Sequence, residues 1–309
     1  MILITGASGY IGSEIANNLE KKNIKYIGID NQIYSNPKNI INKRKFVKID
    51  IGNSQIKDLL KKKKISTVIH CAALSYVLDA ENNKKRYLEN NIKKTKKFIN
   101  LCKVSNIKNF IFLSSSNVYS KGPKIFSEKN LTKPVNVYGK TKTFIENYLQ
   151  IKKFKSLIIL RLFNVVGLTK EFYPFKFKKQ DYQRLFFKLS NHKSIFQINY
   201  QISKNKKIYP KRDFIDIKDV SFVILKILKM TNTRSVQETF NVGSGVATSI
   251  TKIYKKFNKS YNFKCTKISK KELPITKANI NKIKKFLSWH PKIKIEDSIN
   301  STLRFIRHD

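Results

Sequence analysis

The sequence predicts an α/β protein built on a doubly wound parallel sheet, with a smaller α/β lobe at the carboxyl-terminal side. Apolar runs rich in β-branched residues recur at Ile2–Ile4, Tyr26–Ile29, Phe46–Ile51, Ile65–Cys71 and Asn109–Leu113, and continuous rather than alternating apolar runs read as parallel strands covered on both faces. Helix-like stretches separate them, which is the βαβ rhythm. With 309 residues, 41% of them hydrophobic, the chain can bury a full core as one large domain or as two lobes.

The first run leads into Gly6-Ala7-Ser8-Gly9-Tyr10-Ile11-Gly12 and a helix-like stretch to Lys21. Three glycines between a strand and a helix let backbone N–H groups and a positive helix terminus approach a diphosphate closely. This is the cradle of a dinucleotide, in the spacing G-x-x-G-x-x-G. The second strand ends on Asp30-Asn31. An acid there accepts from the adenosine ribose 2′-hydroxyl and repels a 2′-phosphate, which selects NAD over NADP. The third strand likewise ends on Asp50-Ile51, where Asp50 is placed to accept from the adenine amino group. The fourth ends on Cys71-Ala72-Ala73, small enough for a backbone to pass beside a cofactor.

A long helical segment is expected from Asn82 to Ser105. The next strand runs into Ser114-Ser115-Ser116-Asn117-Val118-Tyr119, a polar cluster at the carboxyl edge of the sheet, where open α/β proteins bind ligands. After a turn-rich passage, Val137 opens a helix to about Ile151 that carries Tyr138 and Lys142 four residues apart, on one face. An ammonium near a phenol favours the phenolate, so Lys142 is expected to lower the Tyr138 pKa and make it a usable general base.

Charge is the odd feature. A formal net charge of +44 ordinarily suggests a polyanionic partner. Here the excess is nearly all lysine, spread along the chain and accompanied by abundant Ile and Asn, so it reads as composition filling solvated positions rather than as nucleic-acid binding. No apolar run is long enough for a membrane span. A first strand at Ile2 leaves no room for a leader, and the three cysteines lack metal-ligand spacing, so a cytoplasmic protein with free thiols and no metal is expected.

In this order, the glycine loop, strand-end Asp, serine cluster and Tyr-x-x-x-Lys resemble the extended short-chain dehydrogenase/reductases, the NAD-dependent nucleotide-sugar epimerases and dehydratases, and among these most closely the UDP-glucose 4-epimerases. The resemblance runs almost end to end. It implies a Rossmann-type NAD-binding domain over 1–167 and a nucleotide-sugar lobe over 168–309, with 212–243 partly returning to the main sheet. It implies NAD contacts from Gly6, Gly9, Tyr10, Ile11, Gly12, Asp30, Asn31, Asp50, Ile51, Cys71, Ala72, Ala73 and Asn91, with Tyr138 and Lys142 serving both cofactor and chemistry.

The family's catalytic Ser/Thr falls on Ser115, and Ser116 and Asn117 join it on the substrate side. Arg161-Leu162-Phe163-Asn164-Val165-Val166-Gly167 resembles R-x-F-N-x-x-G, whose Asn (here Asn164) contacts the sugar-nucleotide diphosphate, as does the Arg of the R-D-[YF]-[IV] strand, here Arg212. Leu287-Ser288-Trp289-His290-Pro291 resembles the carboxyl-terminal L-G-W-x-P. Three positions depart: Lys94 stands where the family has a helix Gly, Ser75 where it often has a Lys, and Ser269 where it has a further clamp Arg.

The activity implied is epimerisation of a nucleotide sugar at C4, UDP-glucose with UDP-galactose, through a transient 4-keto sugar, with a UDP-hexose as partner. A homodimer is one open assembly. Another epimerase, dehydratase or reductase of the family stays an alternative, and so does a basic nucleic-acid-binding relative with vestigial catalysis. A 4,6-dehydratase would need an acid pair after Ser115, where the chain has Ser116-Asn117.

Overall fold

The computed structural model describes residues 1–119, 124–168, 196–203, 206–257, 263–267 and 275–307. The apolar runs form the central strands β1 (Ile2–Thr5), β2 (Tyr26–Asp30), β3 (Phe46–Lys48), β4 (Thr67–His70) and β5 (Asn109–Ser115). Two short strands, β6 (Ile125–Phe126) and β8 (Asn164–Val166), flank β7 (Ser156–Leu162), and β12 (Gln237–Val242) lies far along the chain. Seven strands pair in parallel in the order β12-β7-β5-β4-β1-β2-β3. From β1 the chain winds outward through β2 and β3, then returns to the other side of β1 and winds through β4, β5 and β7. The reversal falls between β1 and β4, and beyond the carboxyl ends of strands at such a point a crevice opens.

Strand period and register decide which residues meet. Ile4, Ile69 and Ile111 align across β1, β4 and β5, and with Ile158 they meet Ile15 and Leu19 of helix α1 (Tyr10–Lys21) and Val223 and Ile227 of the helix Ile217–Thr233 in one core cluster. Their neighbours Leu3, Val68 and Phe110 point to the opposite face. There they pack with Ile56 and Leu60 of α2 (Ile56–Lys62) and with residues of two later helices. Both faces are therefore dry, which explains the unbroken apolar runs.

Residues 77–104 differ from the single helix expected. They form α3 (Val77–Asn82), α4 (Lys84–Leu88), a π-helical turn over Glu89–Lys94 and α5 (Thr95–Val104). Asn83, at φ −126° and ψ 47°, breaks the first junction. The wider π turn re-aims side chains in mid-helix, and Asn91 within it is buried. Helix α6 (Val137–Gln150) starts on Asn136, whose side chain accepts from the Gly139 N–H at 2.7 Å, the N-cap pattern.

The remaining strands are β9 (Phe196–Ser203), β10 (Lys206–Ile208), β11 (Lys211–Asp216), β13 (Ala247–Ser249), β14 (Phe263–Lys267) and β15 (Ile275–Ala278). One sheet takes β9 with β10 and β14; the other centres on β11, paired with β8, β13 and β15. β11 thus lies in register with β8, Phe214 against Asn164, directly beyond the end of β7. No helix among the described residues is long and apolar enough to cross a membrane.

Ile158 is fully buried on β7, between β5 and β12. Ile158→Ala is expected to lower unfolding stability by about 2–5 kcal/mol, whereas Ile151→Ala, at a residue 71% exposed, should stay within about 0.5 kcal/mol. Denaturant unfolding of the two variants checks the placement, and equal losses would contradict it.

Candidate active site

A cavity of about 470 Å³ opens at the reversal point and runs from the glycine loop to the end of β8. Its floor is the loop between β1 and α1. Gly6 has φ +68°, and a Cβ on it would sit 2.9 Å from the Ala72 backbone. A Cβ on Gly12 would lie 2.0 Å from the Gly6 carbonyl oxygen. The glycines therefore let three backbone segments crowd together, and α1 starts at Tyr10 on an extended Gly9 with no side-chain cap. The first N–H groups of a helix have no intrahelical partner. Tyr10, Ile11 and Gly12 line the cavity with Gly6 and Gly9. The Tyr10 hydroxyl donates to the Gly167 carbonyl, tying this loop to the chain beyond β8.

At one end Asp30, Asn31 and Ile51 line the wall. The Asp30 carboxylate accepts from the Ser8 N–H (3.2 Å), the Gln32 N–H (2.8 Å) and the Ser35 hydroxyl (3.0 Å). These three donors fix an acid at the tip of β2, Ser35 being held in turn by the Ser8 hydroxyl at 2.7 Å. Asp50 is not on the wall. Its carboxylate accepts from Asn31 Nδ2, the Gly52 N–H and Lys94 Nζ, each at 2.8 Å, and these bonds, with the Lys94 charge, keep it below the usual carboxylate range although burial opposes them. Lys94, where the family has glycine, turns this carboxylate into a salt bridge.

Opposite lies the chemical end. Ser115, at the end of β5, and Tyr138 and Lys142, on the inner face of α6, all line the cavity and all are buried. Ser115 lies close enough to the Tyr138 phenol for its side chain to favour the phenolate. Asn117 donates to Ser115 Oγ from both its backbone and its amide at 3.2 Å, and accepts from Asn136 Nδ2 at 3.0 Å, so the cap of α6 also fixes the serine. Lys142 Nζ donates to the Leu113 carbonyl at 2.6 Å and lies 5.9 Å from the Tyr138 ring centre.

One expectation is overturned here. Burial pushes the Tyr138 phenol up to about 12, with the Ser115 hydrogen bond pulling the other way, and burial holds Lys142 down to about 8. Desolvation of both groups outweighs the attraction that the four-residue spacing suggested. The lysine spends its shortest bond on a backbone carbonyl, not on the phenol.

Cys71, Ala72, Ala73, Asn117 and Asn164 also line the cavity. Asn91 does not: its amide oxygen accepts from the Leu74 N–H at 2.9 Å and its nitrogen donates to the Leu74 carbonyl at 2.8 Å and to Thr141 Oγ1 at 3.3 Å. All of this pins the wall segment after Ala73, and Asn90 is the neighbour that reaches the cavity. Ser116 and Arg212 are likewise off the described lining; Arg212 donates to the Lys211 carbonyl at 3.1 Å. Ser269 lies outside the described residues. Sequence reasoning missed Tyr87, whose hydroxyl bridges the Tyr76 backbone from the wall, and Thr302, contributed by the carboxyl-terminal helix. No local pattern marked either.

The profile of the NAD dependent epimerase/dehydratase family matches residues 2–243. The chain belongs to the NAD-dependent epimerase/dehydratase family. It is 24% identical to UDP-glucose 4-epimerase 2 of Arabidopsis thaliana, over 96% of this chain and 92% of that protein. It is 27% identical to a UDP-glucuronate 4-epimerase of Thermodesulfobacterium geofontis, over 99% and 96%. Among solved structures, UDP-glucose 4-epimerase from Bifidobacterium longum in complex with NAD⁺ and UDP superposes with a TM-score of 0.88 at 22% identity, covering 100% of this chain and 98% of that one. That likeness shows the fold.

The chain belongs to an NAD-dependent family, and this end of the cavity could hold that cofactor: an uncapped helix start could face the diphosphate, the acid at the tip of β2 could face the ribose, and Ala72 and Ala73 are small residues on the wall. Because Asp30 is placed to accept from an adenosine ribose and the donors it binds here are all neutral, NAD is expected to bind at least about tenfold more tightly than NADP, a difference of about 1.4 kcal/mol. Asp30→Ala should narrow that gap. Calorimetry showing equal affinities for the wild-type protein would contradict the assignment.

Proposed function

We propose that this protein is a nucleotide-sugar 4-epimerase that interconverts UDP-glucose and UDP-galactose through a transient 4-keto sugar. The observation that carries the reading is the convergence of Ser115, Tyr138 and Lys142 on one wall of a cavity that begins at the dinucleotide cradle. The names of the relatives above, sugar-nucleotide 4-epimerases, support it. NAD, when bound, supplies a hydride acceptor at C4 and returns the hydride. In this reading Tyr138 takes the proton of the sugar 4-hydroxyl and later gives it back from the other face of the turned sugar. Ser115 bridges that hydroxyl to the phenol, and Lys142 holds the nicotinamide ribose and supports the phenolate charge.

Burial alone leaves the phenol protonated at neutral pH, so the base must form with the help of positive charge in the closed site: Lys142, and the cofactor in its oxidised form. In the same reading Gly6, Gly9, Tyr10, Ile11 and Gly12 hold the NAD diphosphate, and Asp30 and Asn31 hold the adenosine. Ile51, Cys71, Ala72 and Ala73 form the apolar wall. Asn164 and Asn117 face the sugar nucleotide, and Arg212, on β11 but off the described lining, is the diphosphate arginine of this reading. The division follows: an NAD domain over 1–167 and a sugar-nucleotide lobe over 168–309, with 212–243 shared. The neutral Ser116-Asn117 pair offers no acid for the C5 and C6 steps of a 4,6-dehydratase.

Tyr138→Phe keeps the ring and removes the ionisable oxygen, so folding and NAD binding should persist. Conversion of UDP-galactose to UDP-glucose should fall by about two to four orders of magnitude. Near-normal turnover in this variant would exclude Tyr138 as the base. A wild-type protein inert on UDP-galactose but active on another sugar nucleotide would remove the substrate assignment.

A further inference from the structure

The face of α6 that carries Tyr138 and Lys142 continues one turn further to Glu146, and all three side chains are buried. The end of β5 is fastened to this face by three successive residues. The Leu113 carbonyl takes Lys142 Nζ, the Ser114 hydroxyl donates to Glu146 Oε1, and the Ser115 hydroxyl meets the Tyr138 phenol.

Glu146 is in turn gripped by Arg161 of β7, the residue in register with Ser114. Nη2 donates to Oε2 at 2.7 Å and Nε to both carboxylate oxygens at 3.2 Å, with side-chain exposures of 7% for Arg161 and 2% for Glu146. Arg161 Nη1 also donates to the Tyr119 hydroxyl at 3.2 Å, and Tyr119 donates to Asn241 Oδ1 on β12 at 2.6 Å. The network thus spans three adjacent strands and one helix directly behind the catalytic wall.

We propose that the Glu146–Arg161 ion pair, with Ser114, is a positioning unit that sets the height and rotation of α6, so that the Tyr138 phenol and the Lys142 ammonium meet Ser115 across the cavity. This rests on the epimerase reading for what the wall does, but the geometry stands without it. A buried ion pair of this kind adds little stability over well-packed apolar residues of the same volume. What it adds is direction: the guanidinium fork and carboxylate are satisfied in one arrangement only, whereas apolar side chains would let the helix slide. It also acts on charge. The groups facing Lys142 are Tyr138 and Glu146 from its own helix and Cys71 and His70 from the β4 side. Of these, burial keeps His70 uncharged and pushes the Cys71 thiol up, which leaves the carboxylate of Glu146, paired with Arg161, to favour the charged lysine.

Two variants test this: Ser114→Ala, which removes one fastening and leaves the ion pair, and Glu146→Gln/Arg161→Gln, which removes both charges without stranding either. Each is read for kcat and KM on UDP-galactose and, in the protein without added ligand, for the pH midpoint of Lys142 acylation by peptide mapping. The double variant is expected to lose about 10²-fold in kcat with KM within about twofold, as misplacement of reacting groups does, and to shift the Lys142 midpoint downward by about one pH unit. Ser114→Ala is expected to lose several-fold in kcat and to keep the midpoint.

Unchanged kcat and an unchanged midpoint, with only the melting temperature lowered, would overturn the proposal and leave the pair purely structural. If the double variant does not fold, Ser114→Ala decides: wild-type kcat there overturns it. If the wild-type protein proves inert on UDP-galactose, the epimerase reading fails while the acylation midpoint still judges the positioning unit.

Discussion

Lys142 is a primary ammonium placed inside the protein, and much of the site's architecture follows from what that placement requires. A buried charge without partners costs several kcal/mol. Here the Leu113 carbonyl at 2.6 Å offsets part of that cost, and Leu113 lies one residue beyond the last pairing of β5 with β4, His70 with Phe112. The lysine lies 4.7 Å from the centre of the Phe112 ring, which adds a cation–π contact. The remaining penalty is visible as the drop of Lys142 to about 8. Helix α6 can sit this close to the sheet because Gly139 has no Cβ: one would meet the Asn117 carbonyl oxygen at 2.1 Å.

The same constraint links the two ends of the cavity. The strand order brings β1, β4 and β5 side by side, so the glycine loop after β1, the Cys71–Ala73 wall after β4 and the serine cluster after β5 open onto one crevice. Thr5 and His70, paired across β1 and β4, share a hydrogen bond of 2.9 Å, and Thr5 Oγ1 also accepts from the Ala72 N–H at 3.2 Å. His70 stacks on Phe98 and Phe112 and stays neutral. It holds the wall rather than moving a proton. One cavity along this crevice is lined by Asp30 at one end and by Tyr138 at the other.

What the sequence made legible were features that local chemistry enforces. The glycine spacing encodes close backbone approach, the strand end at Asp30 puts an acid on the cavity wall, and a four-residue spacing puts Tyr138 and Lys142 on one helical face. The two-faced sheet was readable because both faces are dry. Features that depend on distant partners were not legible. The pKa of Tyr138 is set by burial, which spacing does not report. Asn91 faces Leu74 because a π turn rotates it inward, and Asp50 leaves the wall because Lys94 reaches it across the helix. The Glu146–Arg161 pair joins residues whose only hint was a charge on an apolar helix face and another inside a strand.

The account turns on reversible oxidation of the sugar at C4 within a closed site that exchanges no hydrogen with water at that carbon. Supplying UDP-galactose deuterated at C4 to the protein in ordinary water tests this most directly. The account predicts UDP-glucose that retains the deuterium at C4, with no net consumption of NAD. Product that has lost the label to solvent would contradict it, because epimerisation would then proceed through proton exchange rather than through a hydride kept in the site.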